Sequence, residues 1–238
     1  DGLGEFMAAS DGTPLRAVAG VEIACAWYSG TLDILGYDFD HRDPDFVKFL
    51  SCMQEVRETR NLEIARKLLD QGIDISYDEV KAEAGGPVIG RPHFARVLMN
   101  KGLCPDMQSA FDRFIGRGQC AFVPRFLPLP EEGIAAIHGA GGAAFWAHPT
   151  GQSRRSRSVI RRTAKALQEN GLDGVEAYYS EYSGPQQQMM IDVAKSLGLL
   201  CSGGSDYHGR NSPGVSIGVG RGELKVPDEL LAGILKAR

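Results

Sequence analysis

Asp206 and His208 stand two residues apart just beyond the apolar run Leu199-Leu200-Cys201-Ser202-Gly203, and His148 follows a second run, Ala143-Ala144-Phe145-Trp146-Ala147. Residues i and i+2 of an extended backbone point to the same side, so this carboxylate and imidazole can reach into one site. Carboxylate oxygen and neutral imidazole nitrogen are donors that zinc, manganese and iron accept. A lone Asp-x-His is more often a solvated turn than a metal site. Gly203 and Gly204, which let other groups come close to the backbone, tilt the reading toward a site. Glu22 follows the apolar stretch Leu15 to Val21, and a glutamate there can bridge two ions of a multinuclear centre.

A second set of residues suits an anion. In Gly90-Arg91-Pro92-His93, Pro92 favours a first helical turn, and a helix N-terminus beside an arginine favours a group such as phosphate. Arg57, Arg60 and Arg66 lie on the preceding helical stretch, where a solvated face competes with a phosphate contact. Arg154, Arg155, Arg157, Arg161 and Arg162 follow His148; most belong to a solvated helix face, and Arg154 is taken as a clamp on an entering anion. Tyr178, Tyr179 and Tyr182 read as core or pocket wall, with Tyr178 as the candidate substrate contact. His41 and His138 read as structural or solvent-facing.

The elements that must position these residues alternate. A helix is expected over residues 3 to 10, strands over 15 to 23 and 31 to 37, and then helical periodicity from about residue 45 to 117. Beyond it come helix 130–140, strand 143–148, helix 158–168, strand 174–179, helix 185–197 and strand 199–202, with Gly171 and Gly198 at helix ends. Such repeats imply a parallel sheet, a barrel or an open doubly wound sheet. No G-x-G-x-x-G or P-loop follows any strand, which disfavours a nucleotide-binding fold of that type. In a parallel barrel the site lies at the C-terminal strand ends, where the polar residues Glu22, His148, Glu176, Asp206 and His208 are expected to fall. The domains expected are a barrel over 1–43 and 118–238 and a helical insertion over 44–117.

With 26 basic and 30 acidic side chains in 238 residues the net charge is -4, so no global basic field draws the chain to nucleic acid. Any anionic substrate must then be held locally. Five scattered cysteines without a C-x-x-C pair argue against a disulfide framework or zinc knuckle and suit a reducing cytoplasm. No apolar stretch nears the roughly 20 residues that span a bilayer, so no membrane partner is expected.

Taken in order, Gly20-Val21-Glu22-Ile23, Ile34-Leu35-Gly36-Tyr37, Gly90-Arg91-Pro92-His93, Ala140-Gly141-Gly142 leading to Ala147-His148-Pro149, Gly174-Val175-Glu176 and Gly203-Gly204-Ser205-Asp206-Tyr207-His208-Gly209 resemble the polymerase-and-histidinol-phosphatase (PHP) family, in its branch of small metal-dependent phosphoesterases. The resemblance implies an α/β fold, a distorted seven-stranded TIM-like barrel with two or three divalent metal ions, Mn, Zn or Fe. It makes Glu22, Asp33, His148, Asp206 and His208 the metal ligands, centres catalysis on His148, Asp206 and His208, and makes the insertion with Arg57, Arg60, Arg91 and His93 a lid over substrate. The family's H-x-H and T-D-H-D motifs are not in this chain, Asp33 stands where a histidine ligand is usual, and Tyr182 stands where this branch often has a histidine. The activity implied is hydrolysis of a phosphate ester of a small nucleotide- or sugar-phosphate-like metabolite, a nucleotide bisphosphate or a cyclic phosphate diester. A non-catalytic phosphometabolite-binding protein and an oligonucleotide exonuclease are the alternatives, with no stable nucleic-acid partner expected.

Overall fold

The computed structural model describes residues 2–28, 30–86, 88–150, 155–209 and 214–237. The chain divides into two compact units, residues 48–126 and residues 2–47 with 127–237. Helix α1 (Leu3–Ser10) precedes a hairpin of β1 (Gly20–Trp27) and β2 (Gly30–Tyr37). A long helix α2 (Pro44–Asp70) leads into α3 (Tyr77–Ala84), α4 (Arg91–Asn100) and α5 (Met107–Ala110), which continues as a π turn over Phe111–Ile115. Alternation then resumes with α6 (Pro130–Gly139), β3 (Ala143–Trp146), α7 (Arg157–Glu169), β4 (Gly174–Tyr179), α8 (Gly184–Leu197), β5 (Leu200–Gly204) and α9 (Glu229–Ile234).

The helical unit has its own core. Ile64 and Leu68 of α2, Tyr77 and Val80 of α3, and Phe94, Ala95 and Leu98 of α4 are buried together with Ile115 and Ala121. The spacing 64, 65, 68 on one helix and 94, 95, 98 on the other is the apolar stripe of an amphipathic helix. Ser76 and Glu79 form a reciprocal cap at the start of α3.

In the other unit the strands form one sheet in the order β1-β2-β3-β4-β5. β3, β4 and β5 are parallel, whereas β2 runs antiparallel to both β1 and β3. This departs from the all-parallel expectation. Among the described residues the sheet is an open, mixed one and does not close into a barrel. The expected strand over 15 to 23 is displaced as well: β1 begins at Gly20 and continues to Trp27, because it pairs along its whole length with β2, from Gly20↔Tyr37 to Trp27↔Gly30.

Register decides which side chains share a face. Leu35 pairs with Glu22 on one side and Phe145 on the other, and Phe145 pairs with Gly174, so Glu22, Asp33, Tyr37, Phe145 and Glu176 lie on one face. Ala143, Phe145 and Ile234 of α9 are buried there with Leu35, Tyr37 and Leu200 around them. The opposite face carries Ile23, Cys25, Ile34 and Val175. It meets the helices closely: a Cβ at Gly36 would lie 2.9 Å from Ile137 of α6. Gly174 is required for a similar reason, since a Cβ there would overlap the Phe145 ring and lie 2.7 Å from the Leu200 carbonyl.

Candidate metal centre

Two donor triads converge on the open face of the sheet. Glu22, Asp33 and His148 each offer a ligand atom, as do Glu22, Asp206 and His208, with the atoms of each triad within 4.8 Å of one another. Glu22 belongs to both. His148 Nε2 lies 3.1 Å from Glu22 Oε1 and 4.0 Å from Asp33 Oδ2, and His208 Nδ1 lies 3.3 Å from Asp206 Oδ1. Three carboxylates and two imidazoles at these separations form an oxygen-rich donor set with nitrogen, which fits divalent manganese, zinc or iron. Side chains between about a quarter and a half exposed leave room for water and substrate, as a catalytic site requires.

The topology explains the convergence. Because β2 is antiparallel, Asp33 near its beginning is level with the end of β3, and its carbonyl accepts from Ala147 N at 2.9 Å. His148 follows immediately. Glu22 is the third residue of β1, not at its end as expected, and reaches the cluster from two residues along the register, at the level of Leu35. Asp206 and His208 follow the end of β5.

His148 and Asp206 both have a left-handed backbone, with φ 29° and φ 53°. A non-glycine residue there is strained by about 1–2 kcal/mol. Each is tied to β4. The backbone N–H of His148 donates to Glu176 Oε2 at 2.8 Å, and the Tyr179 hydroxyl donates to Asp206 Oδ2 at 3.1 Å. The Ser180 hydroxyl also donates to the Ser205 carbonyl at 2.7 Å. A register irregularity between Glu176 and Tyr178 makes this possible: the bulge places Tyr179, not Tyr178, beside Glu176 on the cluster side.

The electrostatics follow from crowding of carboxylates. The hydrogen bond from His148 lowers the Glu22 carboxyl, against the opposing effect of burial. Burial alone would pull the His148 imidazolium down. The hydrogen bond to Glu22 and the charges of Glu176, Glu22 and Asp33 outweigh it and push His148 up to about 9. Glu176, only 4% exposed, is pushed up to about 7, chiefly by burial. A cation held by Glu22, Asp33 and His148 would have to displace this proton.

Similarity to characterised proteins follows the same lines. The chain is 34% identical over 207 residues to the 5'-3' exoribonuclease of Haemophilus influenzae, an alignment covering 87% of this chain and 75% of that protein. It is 30% identical over 218 residues to the 3',5'-nucleoside bisphosphate phosphatase of Chromobacterium violaceum, covering 91% of this chain and 76% of the relative. The chain belongs to this family of phosphoric ester hydrolases. A solved structure from Bifidobacterium adolescentis, designated a metal-dependent phosphoesterase, superimposes with a TM-score of 0.79 at 27% identity, over 98% of this chain and 81% of that one. An amidohydrolase from Chromobacterium violaceum, solved with bound sulfate and no metal, gives 0.78 at 29% identity, over 100% and 84%. No family model matches the sequence.

As a member of a hydrolase family the chain is an enzyme, which removes the purely ligand-binding alternative. Of the residues expected to build its site, the structure brings Glu22, Asp33, His148, Asp206 and His208 together. Arg57, Arg60, Arg91 and His93 fall in the helical unit. His93 serves first as a cap: its Nδ1 accepts from Gly90 N at 3.0 Å, and burial lowers its imidazolium. Tyr178, expected as a substrate contact, pairs with Gly203, and the bulge puts it on the side of the sheet away from Glu176. Tyr179 lies on the cluster side, with its ring 5.6 Å from His148 and 5.2 Å from Tyr182. The Tyr182 hydroxyl accepts from Thr150 N at 3.3 Å, just past His148. Arg154 lies outside the described residues. Glu176, expected at the strand ends, and Tyr179, read only as core or pocket wall, were not singled out as supports of His148 and Asp206; the carboxylate inside Gly174-Val175-Glu176-Ala177 was the visible signal.

Proposed function

We propose that this enzyme hydrolyses a phosphate ester of a small nucleotide, with a nucleoside bisphosphate monoester as the first candidate and a cyclic phosphate diester as the second. The observation that carries this reading is Glu22 shared between two donor triads, the arrangement expected for ions placed side by side. Divalent ions held there would lower the pKa of water toward 7 and neutralise phosphoryl oxygens during in-line attack. The chain's own residues then have distinct tasks. Asp33 and His148 would hold one ion, Asp206 and His208 another, with Glu22 available to both. Glu176 keeps His148 oriented through its backbone, and Tyr179 keeps Asp206 oriented through its carboxylate.

The motif order and the donor set support membership of the PHP type, with the open sheet forming part of a distorted barrel and the helical unit acting as the lid that such members carry. The five free cysteines suit a reducing compartment such as the cytoplasm. A second reading, removal of nucleotides from the 5' end of an RNA chain, is favoured by the exoribonuclease relatives, since the same chemistry cleaves an internucleotide ester. The test is hydrolysis after chelation and after readdition of manganese or zinc, read as phosphate release from nucleoside 3',5'-bisphosphates and sugar phosphates, as ring opening of cyclic nucleotides, and as mononucleotide release from 5'-phosphorylated oligoribonucleotides. Metal-stimulated hydrolysis confined to bisphosphates or cyclic diesters supports the first reading. Mononucleotide release from oligoribonucleotides supports the second, and no metal-stimulated turnover of any ester would overturn both.

A further inference from the structure

We infer that the exposed face of α7 is a docking surface for the backbone of a single-stranded RNA, holding nucleotides beyond those that reach the metal centre. That the docked strand is a substrate rests on the oligoribonucleotide reading above, whereas the docking surface rests on α7 alone.

β3 and β4 are parallel, so the helix that joins them starts at the strand end that carries His148 and runs back along the sheet. α7 begins at Arg157, shortly after His148. Arg157, Arg161 and Lys165 then follow one another at four-residue steps, each about 6 Å along the helix and about 40° round it, and Arg162 stands beside Lys165. All four are exposed. The row therefore leads away from the rim of the site with one cation per turn, an arrangement that the repeated phosphates of an extended strand can follow.

These charges do not serve the helix. Its first turn has no acidic residue and opens on an arginine, although the partial positive charge of a helix N-terminus favours the opposite. Arg157 with Arg161, and Arg161 with Lys165, are like charges at i,i+4, which destabilise a helix. α2 and α3 show the stabilising arrangement, with Arg66 between Glu63 and Asp70 and Lys81 beside Asp78. Glu169, in the last turn, is the one acid on α7. From α8, packed against α7, Asp192 meets Arg157 at 3.7 Å, and Lys195, one turn further on, is exposed. Arg161, Arg162 and Lys165 have no carboxylate partner among the described residues.

The other side of the helix decides against a membrane. Ile160, Thr163, Ala164 and Leu167 are buried in the fold, so α7 has no apolar face free to enter a bilayer and presents only a cationic one. A flexible polyanion suits that face, because each phosphate it neutralises releases counterions.

The test measures binding to the full chain in EDTA, where no turnover intervenes. Fluorescence anisotropy would follow a labelled dinucleotide and a labelled oligoribonucleotide of about 12 nucleotides. The double variant Arg161→Gln, Lys165→Gln removes two phosphate contacts. It should weaken the longer strand about 25-fold at about 0.1 M salt and lower the salt slope by about 1.4, since each contact carries about 0.7. The dinucleotide, held at the centre alone, should bind the double variant as it binds the unaltered chain. Lys81→Gln, at an exposed and paired residue, should leave both affinities unchanged. The thermal midpoint of the double variant should hold or rise as like-charge crowding is relieved; a fall would show that the cations serve the helix and would overturn the argument. Absence of binding by the unaltered chain, equal binding of the longer strand by the double variant, or equal loss of both probes would each overturn the proposal. Polyglutamate or phosphatidylserine vesicles that bind as tightly as the RNA, with the same dependence on Arg161 and Lys165, would overturn the choice of RNA. With manganese restored, KM for the longer strand should rise in the double variant while kcat holds. Docking without mononucleotide release would leave the surface standing and count against the oligoribonucleotide reading alone.

Discussion

Glu176 lies beneath His148, and replacing it with alanine tests whether the strained strand end is held by that one carboxylate. In the native chain Glu176 Oε2 accepts from His148 N at 2.8 Å, and the side chain is almost fully buried. Alanine leaves that N–H without an acceptor, a cost of about 1–3 kcal/mol. The left-handed backbone of His148 stores about 1–2 kcal/mol that the missing bond no longer opposes, so the residue relaxes away from Glu22 and Asp33. Losing a partner that orients a ligand lowers metal affinity by about 10–100-fold. Competition against a chromophoric chelator gives that affinity directly, and thermal unfolding in EDTA gives the stability. Glu176→Gln retains an oxygen at the same position and should bind metal within about threefold of the native chain. The reasoning is refuted if folded Glu176→Ala keeps native metal affinity. It is equally refuted if glutamine is as damaging as alanine, because charge and not orientation would then be responsible.

Three further outcomes follow from the same geometry. Asp33→His replaces an oxygen donor with an imidazole, so the preference measured by paired titrations should move from manganese toward zinc; an unchanged ratio would remove Asp33 from the donor set. Gly174→Ala drives a methyl into Phe145 and the Leu200 carbonyl, and should destabilise the fold by about 1–3 kcal/mol in urea unfolding, while a native midpoint would show that the strands can separate there. His148 in metal-free protein is raised to about 9 from its ordinary value near 6.5, so its contribution to stability is complete below pH 6.5 and lost as pH rises through 9. Allowing for solvent screening at Glu22, that contribution is about 1–2 kcal/mol. Thermal midpoints in EDTA should fall from pH 7 to pH 10, and should fall less in His148→Asn; identical slopes would rule the assignment out.

Much of this arrangement was legible from residue order. The helix over Leu3–Ser10 and the strand over Gly174–Tyr179 match the expected bounds, because an apolar run closed by glycine or polar residues leaves little choice of boundary. That Glu22, His148, Asp206 and His208 would meet was also legible, since a carboxylate or imidazole at the end of an apolar run is costly to bury without a partner, whereas Asp33 came in through the resemblance. The direction of β2 was not. Only two residues, Tyr28 and Ser29, separate the strands, and so short a connection permits a hairpin but not a parallel crossover. The exchange of Tyr178 for Tyr179 was hidden for another reason: a bulge breaks the two-residue alternation on which every reading of strand faces depends.

Net charge is a weak guide to whether an anion can be held locally. A value of -4 averages an acidic cluster at Glu22, Asp33 and Asp206 with a basic helix face at Arg157, Arg161, Arg162 and Lys165, and neither is visible in the sum. At an ionic strength of about 0.1 M the Debye length is about 10 Å, so a phosphate responds to the nearest few side chains and hardly to the total. Divalent cations held by the acidic cluster would change its sign in effect: each would offset two carboxylates, so that residues that repel phosphate in EDTA would then attract it. Affinity for a nucleotide should therefore rise with metal in the native chain and rise less in Glu22→Gln, where one bridging charge is gone. Equal gains in the two proteins would show that Glu22 holds no ion and that the two triads do not share a ligand.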